Sequence, residues 1–144
     1  MKKRLAFLLA VILLLTGCGG LLAESDDGVV LISERFFVTQ TTQIQMNAGD
    51  YLGRTIRYEG MFWGNEWPTG EVYYFVTRNT LGCCGDDGII GFELRLNDFD
   101  PLPNDTWVEI TGVLEEFDYE GRTFLRLAVV ELTELEERGL EFVE

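Results

Sequence analysis

Apolar and polar residues alternate along three separate segments of this 144-residue chain. In the first segment, at residues 55–63, apolar Ile56, Tyr58 and Phe62 alternate with charged Arg57 and Glu59. Successive side chains of a β-strand point to opposite faces, so this pattern predicts a strand with one buried face. Alternation also predicts strands at residues 90–95 and 107–116. Residues 71–78 are β-branched and aromatic, and residues 123–132 follow the strand at 107–116 through a turn, so five strands are predicted in all.

Glycine and other turn-forming residues punctuate these strands. Residues 64–70 (GNEWPTG) supply Asn, Pro and Gly for one hairpin connection, and Gly121 is placed at the tight turn between the last two strands. Gly60, Gly91 and Gly112 fall near strand centres, where a closed barrel has to bend. The sequence therefore predicts an all-β fold, a small five-stranded closed barrel of the OB type with short helical turns, and a β-sandwich is the alternative.

The segments on either side of these strands are less regular. Residues 35–46 (RFFVTQTTQIQM) are compatible with an additional strand, and residues 47–53 with a single helical turn capped by Asn47. The acidic segment 132–144 carries leucines at loose helical spacing, which indicates a short helix or a tail. We therefore place the barrel domain at residues 29–131.

The N-terminal region has the pattern of an export signal. Three basic residues at 2–4 precede an apolar run at 5–15, and this run is shorter than the ~20 residues that a membrane-spanning helix needs. The run ends in LTGCG, which resembles the bacterial lipoprotein signal, in which the thiol of Cys18 is lipidated. We expect residues 1–17 to be a signal peptide and residues 18–28 a tether that holds the protein at the extracytoplasmic face of the membrane.

Removal of that signal makes the chain more acidic. The full sequence has a net charge of −14, and three of its 11 basic residues lie in the signal, so the mature chain has 8 basic against 25 acidic residues and a net charge of −17. This charge repels phosphate backbones, and we expect no binding to nucleic acid. It permits attraction of cations or of a basic partner, and it also keeps an exported protein soluble.

Two adjacent cysteines, Cys83 and Cys84, are flanked by glycines and followed by Asp86 and Asp87. A bridge between neighbouring residues is strained, because their Cα atoms are about 3.8 Å apart and disulfides usually need about 4.4 to 6.8 Å. Zinc and copper(I) prefer thiolate ligands, so a zinc or copper site formed by these four residues is a second alternative. Burial as small apolar side chains is the third. The sequence leaves the three alternatives open.

Other candidate site residues are aromatic. Trp63 and Trp67 flank the first hairpin loop, a position where OB barrels often bind ligands by stacking, and cross-strand aromatic packing is the alternative role. The chain has no histidine to act as a base, and it has no serine nucleophile motif and no glycine-rich phosphate loop. We therefore do not expect an enzyme.

Residues spread along the barrel also resemble a known family. The shared features are the runs YLGRTI, FVTR and DTWV, a Cys-Cys pair with an Asp three residues after the second Cys, and glycines at strand centres. They lie at residues 51–56, 75–78, 105–108 and 83–87, and at Gly60, Gly91 and Gly112.

This pattern resembles the extracytoplasmic OB-type domain that forms the C-terminal part of one subunit of two-subunit bacterial permeases, some of which are associated with metal-ion handling. The similarity covers about residues 49–131. Here the domain is expected as a stand-alone lipoprotein, so the resemblance implies a binding or accessory role.

Two function classes follow. The first is a lipid-anchored extracytoplasmic binding module for a soft metal or another small ligand, acting as an accessory of a transport system. The second is a cell-envelope structural or protein-interaction lipoprotein with no ligand, in which the cysteines are buried and inert.

Overall fold

The computed structural model describes residues 22–81 and 88–144. The predicted signal peptide, Cys18 and the predicted metal ligands between residues 83 and 87 lie outside the described residues. Among the described helices, none has the length and apolar character needed to cross a membrane.

The described residues form eight strands and one α-helix. The strands are β1 (Ala23–Glu24), β2 (Val30–Leu31), β3 (Thr55–Glu66), β4 (Val72–Thr80), β5 (Gly88–Arg95), β6 (Thr106–Tyr119), β7 (Arg122–Glu134) and β8 (Phe142–Val143). The helix, α1 (Phe37–Met46), lies between 3₁₀ turns at Glu34–Phe36 and Ala48–Asp50. The long strands β3 to β7 confirm the five strands predicted from the sequence, with ends that differ by a few residues.

These five long strands close into a barrel. Their order is β3-β6-β7-β5-β4, and β4 also pairs with β3, which joins the two ends of the sheet. β5 and β7 run parallel, whereas the other neighbours in the barrel are antiparallel. This is the five-stranded Greek-key barrel of the OB fold, so the predicted fold class is confirmed and the alternative of a β-sandwich is excluded.

The predicted glycines lie where strands approach or bend. A Cβ atom added to Gly91 would meet the carbonyl oxygen of Val76 and lie 2.8 Å from the Cα of Thr77, so only glycine allows β5 to approach β4 this closely. The β6–β7 ladder has a bulge between Thr111 and Gly112. Such irregularities let a strand curve strongly enough to close a small barrel.

One parity of each strand fills the barrel. Ile56 and Phe62 of β3, Val76 of β4 and Ile110 of β6 are fully buried, and Tyr58 is 2% exposed. The hydroxyl group of Tyr58 donates a hydrogen bond of 2.8 Å to the backbone oxygen of Val76. Burial raises the pKa of this hydroxyl group, which therefore stays protonated inside the core.

The additional strand predicted at residues 35–46 is wrong, because α1 occupies most of this segment. Its buried residues Phe37, Gln40, Thr41 and Ile44 recur every three to four positions, which is the period of a helix. Two of these four buried residues are polar, so the hydrophobic periodicity of the segment does not indicate a helix. The ring of Phe37 packs edge-on against Tyr58, with ring centroids 5.5 Å apart, so the helix covers part of the barrel core.

The predicted turn after residue 47 is present as the 3₁₀ turn Ala48–Asp50. The prediction that Asn47 caps the start of this turn is wrong. Its side chain makes no capping bond to this turn and instead donates a hydrogen bond of 2.9 Å to the backbone oxygen of Gln43, in the last turn of α1. Asn47 therefore closes the helix that precedes it.

The C-terminal segment differs from the predicted helix or tail. β7 continues to Glu134, and β8 then pairs in parallel with β4, with Asn79 opposite Phe142 and Thr80 opposite Val143. Val143 is only 3% exposed. Burial of this one apolar side chain, together with backbone pairing, holds the end of the chain on the barrel.

Candidate ligand-binding site

Two hairpin connections lie close together at one end of the barrel. The β6–β7 turn consists of Glu120 and Gly121, whose φ angles of 48° and 77° are both positive, as a two-residue turn of type I′ requires. This confirms the predicted position of Gly121. The rings of Trp67, Tyr73 and Tyr119 connect this turn with the β3–β4 loop, with centroid distances of 5.7 Å and 6.2 Å between successive rings.

A cavity of about 450 Å³ opens between these two connections, on the outer face of the barrel. Six aromatic residues line it: Trp67, Tyr73, Phe75, Phe117, Tyr119 and Phe124. Three charged residues complete its lining: Glu93, Glu120 and Arg122. We call this cavity the aromatic pocket. Its size suits a small organic ligand, and aromatic walls with a few polar groups are typical of ligand-binding sites.

Strand register brings these side chains together. Phe75 of β4 lies opposite Glu93 of β5, and Phe117 of β6 lies opposite Phe124 of β7, with ring centroids 5.8 Å apart. Residues directly opposite each other in a ladder point to the same face of the sheet. The pocket therefore consists of strand residues held by the barrel, with the two hairpin connections at its edge.

Glu93 is half-buried in the pocket wall. Within the part of the chain that the structure describes, its carboxylate makes no hydrogen bond and no ion pair. Desolvation raises the pKa of this carboxyl group, and the charge of nearby Arg126 opposes the shift only in part. A carboxylate in this setting is poorly compensated when it is ionised.

Arg126 is engaged elsewhere. Its Nε donates a hydrogen bond of 2.7 Å to Glu115 Oε1, and its guanidinium group lies 4.5 Å from the ring centre of Phe117. Arg95 binds the same carboxylate through two hydrogen bonds of 2.7 and 2.8 Å. Hydrogen bonds from the two arginines hold the pKa of Glu115 at about 2. Glu115 thus binds both arginines, and neither guanidinium group makes an ion pair with Glu93, although Arg126 lies opposite Glu93 in the β5–β7 ladder.

Tyr73 supplies a polar group at the pocket wall. Its hydroxyl group donates a hydrogen bond of 3.2 Å to Glu71 Oε2. Partial burial and hydrogen bonds with Tyr119 and Glu71 raise the pKa of Tyr73 to about 12. The hydroxyl group is therefore protonated at neutral pH, and its single proton is donated to Glu71.

A second cavity of about 410 Å³ continues the same face and shares Phe75, Glu93 and Phe124 with the aromatic pocket. Thr77, which is 5% exposed, lines it, and the Thr77 hydroxyl group has no hydrogen-bond partner among the described residues. Ile89, at its other end, is 74% exposed. The outer face of β4 and β5 thus offers a continuous concave surface with an unpaired buried hydroxyl group.

The structure separates the two tryptophans predicted as ligand contacts. Trp67 lines the aromatic pocket, whereas Trp63 pairs with Phe75 across β3 and β4, remains 39% exposed and lies outside the pocket lining. The other five aromatic residues of the pocket were not singled out as a site by sequence reasoning. The sequence feature that could have indicated them is their position in the strands: they alternate with the core residues and so face outward, where polar residues are usual.

The described ranges, 22–81 and 88–144, contain no group of three or more His, Cys, Asp or Glu side chains that could hold a metal ion. The predicted metal ligands lie between these ranges. The strand residues that flank them, Thr80 and Gly88, are paired with each other at the opposite end of β4 from Trp67. The zinc or copper site thus remains a prediction.

Comparison with known proteins assigns no activity to this chain. Among solved structures, the chain is similar to the N-terminal domain of PriB protein from Thermoanaerobacter tencongensis, described as dimeric, with 17% identity and a TM-score of 0.34 over 58% of this chain and 97% of that one. No curated protein matches the chain. A family model matches residues 21–140, most of the chain, and the protein therefore belongs to the DUF1980 C-terminal domain family.

Proposed function

We propose that this protein is a lipid-anchored extracytoplasmic binding module that holds a small ligand in the aromatic pocket, as an accessory of a transport system or another envelope protein. The observation that carries this proposal is the convergence of six aromatic side chains from three strands and a hairpin loop on one cavity of about 450 Å³. Aromatic residues of outward parity bury little surface for folding, so their clustering favours a role in binding.

The position of the pocket supports the same proposal. In OB barrels, ligands bind on the face of the second and third barrel strands, between the first and last hairpin loops. Here these elements are β4, β5, the β3–β4 loop and the β6–β7 turn, which together form the aromatic pocket. The acidic surface argues against the oligonucleotide ligands that many OB barrels bind.

The binding role can be tested on the mature protein with a library of small organic compounds, read out as a rise in melting temperature, because a ligand that binds the native state stabilises it. A true ligand should stabilise the wild type and lose its effect in Tyr73→Ala and Phe117→Ala. Phe36→Ala is the matched control, since Phe36 is an exposed aromatic residue outside the pocket. Ligands that stabilise all variants equally would place the binding site elsewhere.

The anchoring role needs a separate test. Metabolic labelling with a fatty acid should label the wild-type protein and not a Cys18→Ala variant, which should also be lost from the membrane fraction. An unlabelled wild-type protein would remove the lipid anchor from the proposal without affecting the pocket. If no compound binds and the protein instead captures an envelope protein through the exposed Trp63 and Trp67 face, the structural or interaction role is the correct one.

A further inference from the structure

The chemical class of the ligand can be inferred from Glu93, and this inference rests on the proposed binding function. Glu93 is half-buried among Phe75, Phe124 and the other rings of the aromatic pocket, and within the described ranges it has no ion-pair partner within 4 Å. Removing a carboxylate from water without a partner costs free energy. A positively charged ligand group would restore the missing partner.

The rings around Glu93 also favour a cation. The face of an aromatic ring carries negative electrostatic potential, so several rings around one space attract ammonium groups, as in the aromatic cages that bind quaternary ammonium ligands. The barrel already shows this interaction at the same face, where the guanidinium group of Arg126 lies 4.5 Å from the ring centre of Phe117. The pocket combines such rings with a half-buried carboxylate that makes no ion pair within 4 Å among the described residues.

The other charges around the pocket are of both signs: Arg126 lies opposite Glu93 in the β5–β7 ladder, where its guanidinium group is bound by Glu115. Glu120 lies at the rim, and Glu71 lies beside Tyr73, so both add negative potential. Arg122 also lines the pocket, but it is exposed at the end of the β6–β7 hairpin, where water screens its charge. The net charge of the whole chain is −14, which raises the local concentration of cations.

An organic cation fits this arrangement better than a metal ion. The pocket offers a single half-buried carboxylate, whereas a metal site needs several ligands around one point, and no such group occurs within the described ranges. Its walls are apolar rings, which suit alkyl groups around a nitrogen atom. We propose that the aromatic pocket binds a small organic cation that carries an alkylated ammonium group, with Glu93 as its counterion and the surrounding rings as its cage.

The test compares two probes of the same shape and different charge. Choline carries a trimethylammonium group, and its neutral isostere carries a tert-butyl group in the same place. Binding to the mature protein is measured by titration calorimetry, and tryptophan fluorescence gives a second readout because Trp67 lines the pocket. We expect choline to bind more tightly than the neutral isostere by about tenfold or more.

The variant Glu93→Gln keeps the size of the side chain and removes its charge, and we expect it to reduce the preference for choline to the part that the rings supply. Glu131→Gln removes one charge from the exposed surface outside the pocket and should retain the preference. This control separates the local role of Glu93 from the effect of net charge. Circular dichroism of both variants checks that the barrel remains folded.

The outcomes distinguish the ligand class from the pocket itself. If the two probes bind equally well, and this binding is lost in Tyr73→Ala and Phe117→Ala, the proposal of a cationic ligand is wrong and the binding function stands. Absence of choline binding at millimolar concentration would also overturn it. Failure of the whole compound library to bind the pocket would overturn the binding function as well.

Discussion

Arg78 Nη1 donates a hydrogen bond of 2.9 Å to Glu34 Oε2, although the Arg78 side chain is only 2% exposed. The guanidinium group lies between two rings, 5.1 Å from the centre of Phe37 and 4.9 Å from that of Trp107. It also donates to the backbone oxygens of Glu59 and Leu140. Arg78 therefore connects β3, the first 3₁₀ turn and the C-terminal segment from a position on β4.

Removal of the Glu34 charge should destabilise the protein, because it leaves the buried Arg78 with weaker compensation. Glu34 Oε2 also accepts a hydrogen bond from the backbone nitrogen of Leu140, which Glu34→Ala would leave unpaired. We expect Glu34→Ala to lower the free energy of unfolding by about 2 to 3 kcal/mol, measured by chemical denaturation. Glu59→Ala is the control, since its carboxylate lies 3.9 Å from Arg78 and should contribute less. Equal effects would contradict the special role of Glu34.

Acid should weaken the fold between pH 4.5 and pH 2. The pKa of Glu115 is lowered to about 2 by its hydrogen bonds with Arg95 and Arg126, and hydrogen bonds from Leu140 and Arg78 lower the pKa of Glu34. An acid with a lowered pKa in the folded state stabilises the fold above its unfolded pKa and loses this effect as the pH falls through the folded value. Thermal melts across this range should show a fall for the wild type and a smaller fall for Glu115→Gln. Identical pH profiles would rule out Glu115 as a source of acid sensitivity.

Gly91→Ala should destabilise the barrel strongly, because its Cβ atom would collide with the backbone of Val76 and Thr77. Such a clash cannot be relieved by a side-chain rotation, and we expect a loss of about 2 kcal/mol or more in the free energy of unfolding. Gly49→Ala is the matched control, since an added Cβ atom there meets nothing within 4 Å. A neutral Gly91→Ala would show that β5 can move away from β4.

The role of the adjacent Cys83 and Cys84 as metal ligands, buried thiols or a disulfide can be determined on the mature protein, purified without chelator. The measurements are elemental analysis and a count of free thiols. Near-stoichiometric zinc or copper with protected thiols, lost in Cys83→Ser with Cys84→Ser, would establish the metal site. Two thiols that react only after unfolding, without metal, would establish packing. Absence of both metal and thiols would indicate the strained disulfide.

The sequence pattern was sufficient to predict the five barrel strands, but it did not predict the helix α1 or the short strand β8. Alternation predicted β3, β5 and β6 because each of them has one face in the core, and composition and turn signals predicted β4 and β7. The helix α1 was not predicted, because its buried face contains polar Gln40 and Thr41 as well as apolar Phe37 and Ile44. β8 escaped because two residues are too few to show a period.

The aromatic pocket was not predicted from the sequence for a different reason. Its rings come from strands far apart in sequence, such as Tyr73 and Tyr119, and only the strand order brings them together. The tryptophan beside the first loop was found because turn chemistry marks the loop itself. Prediction of the full pocket requires the order and register of the strands, which periodicity does not supply.

Closure of the barrel also bears on self-association of the protein. In the described sheet, the outermost strands, β1 and β8, are each only two residues long. Short edges offer little template for another chain to add a strand. This architecture limits edge-to-edge aggregation between copies of the chain.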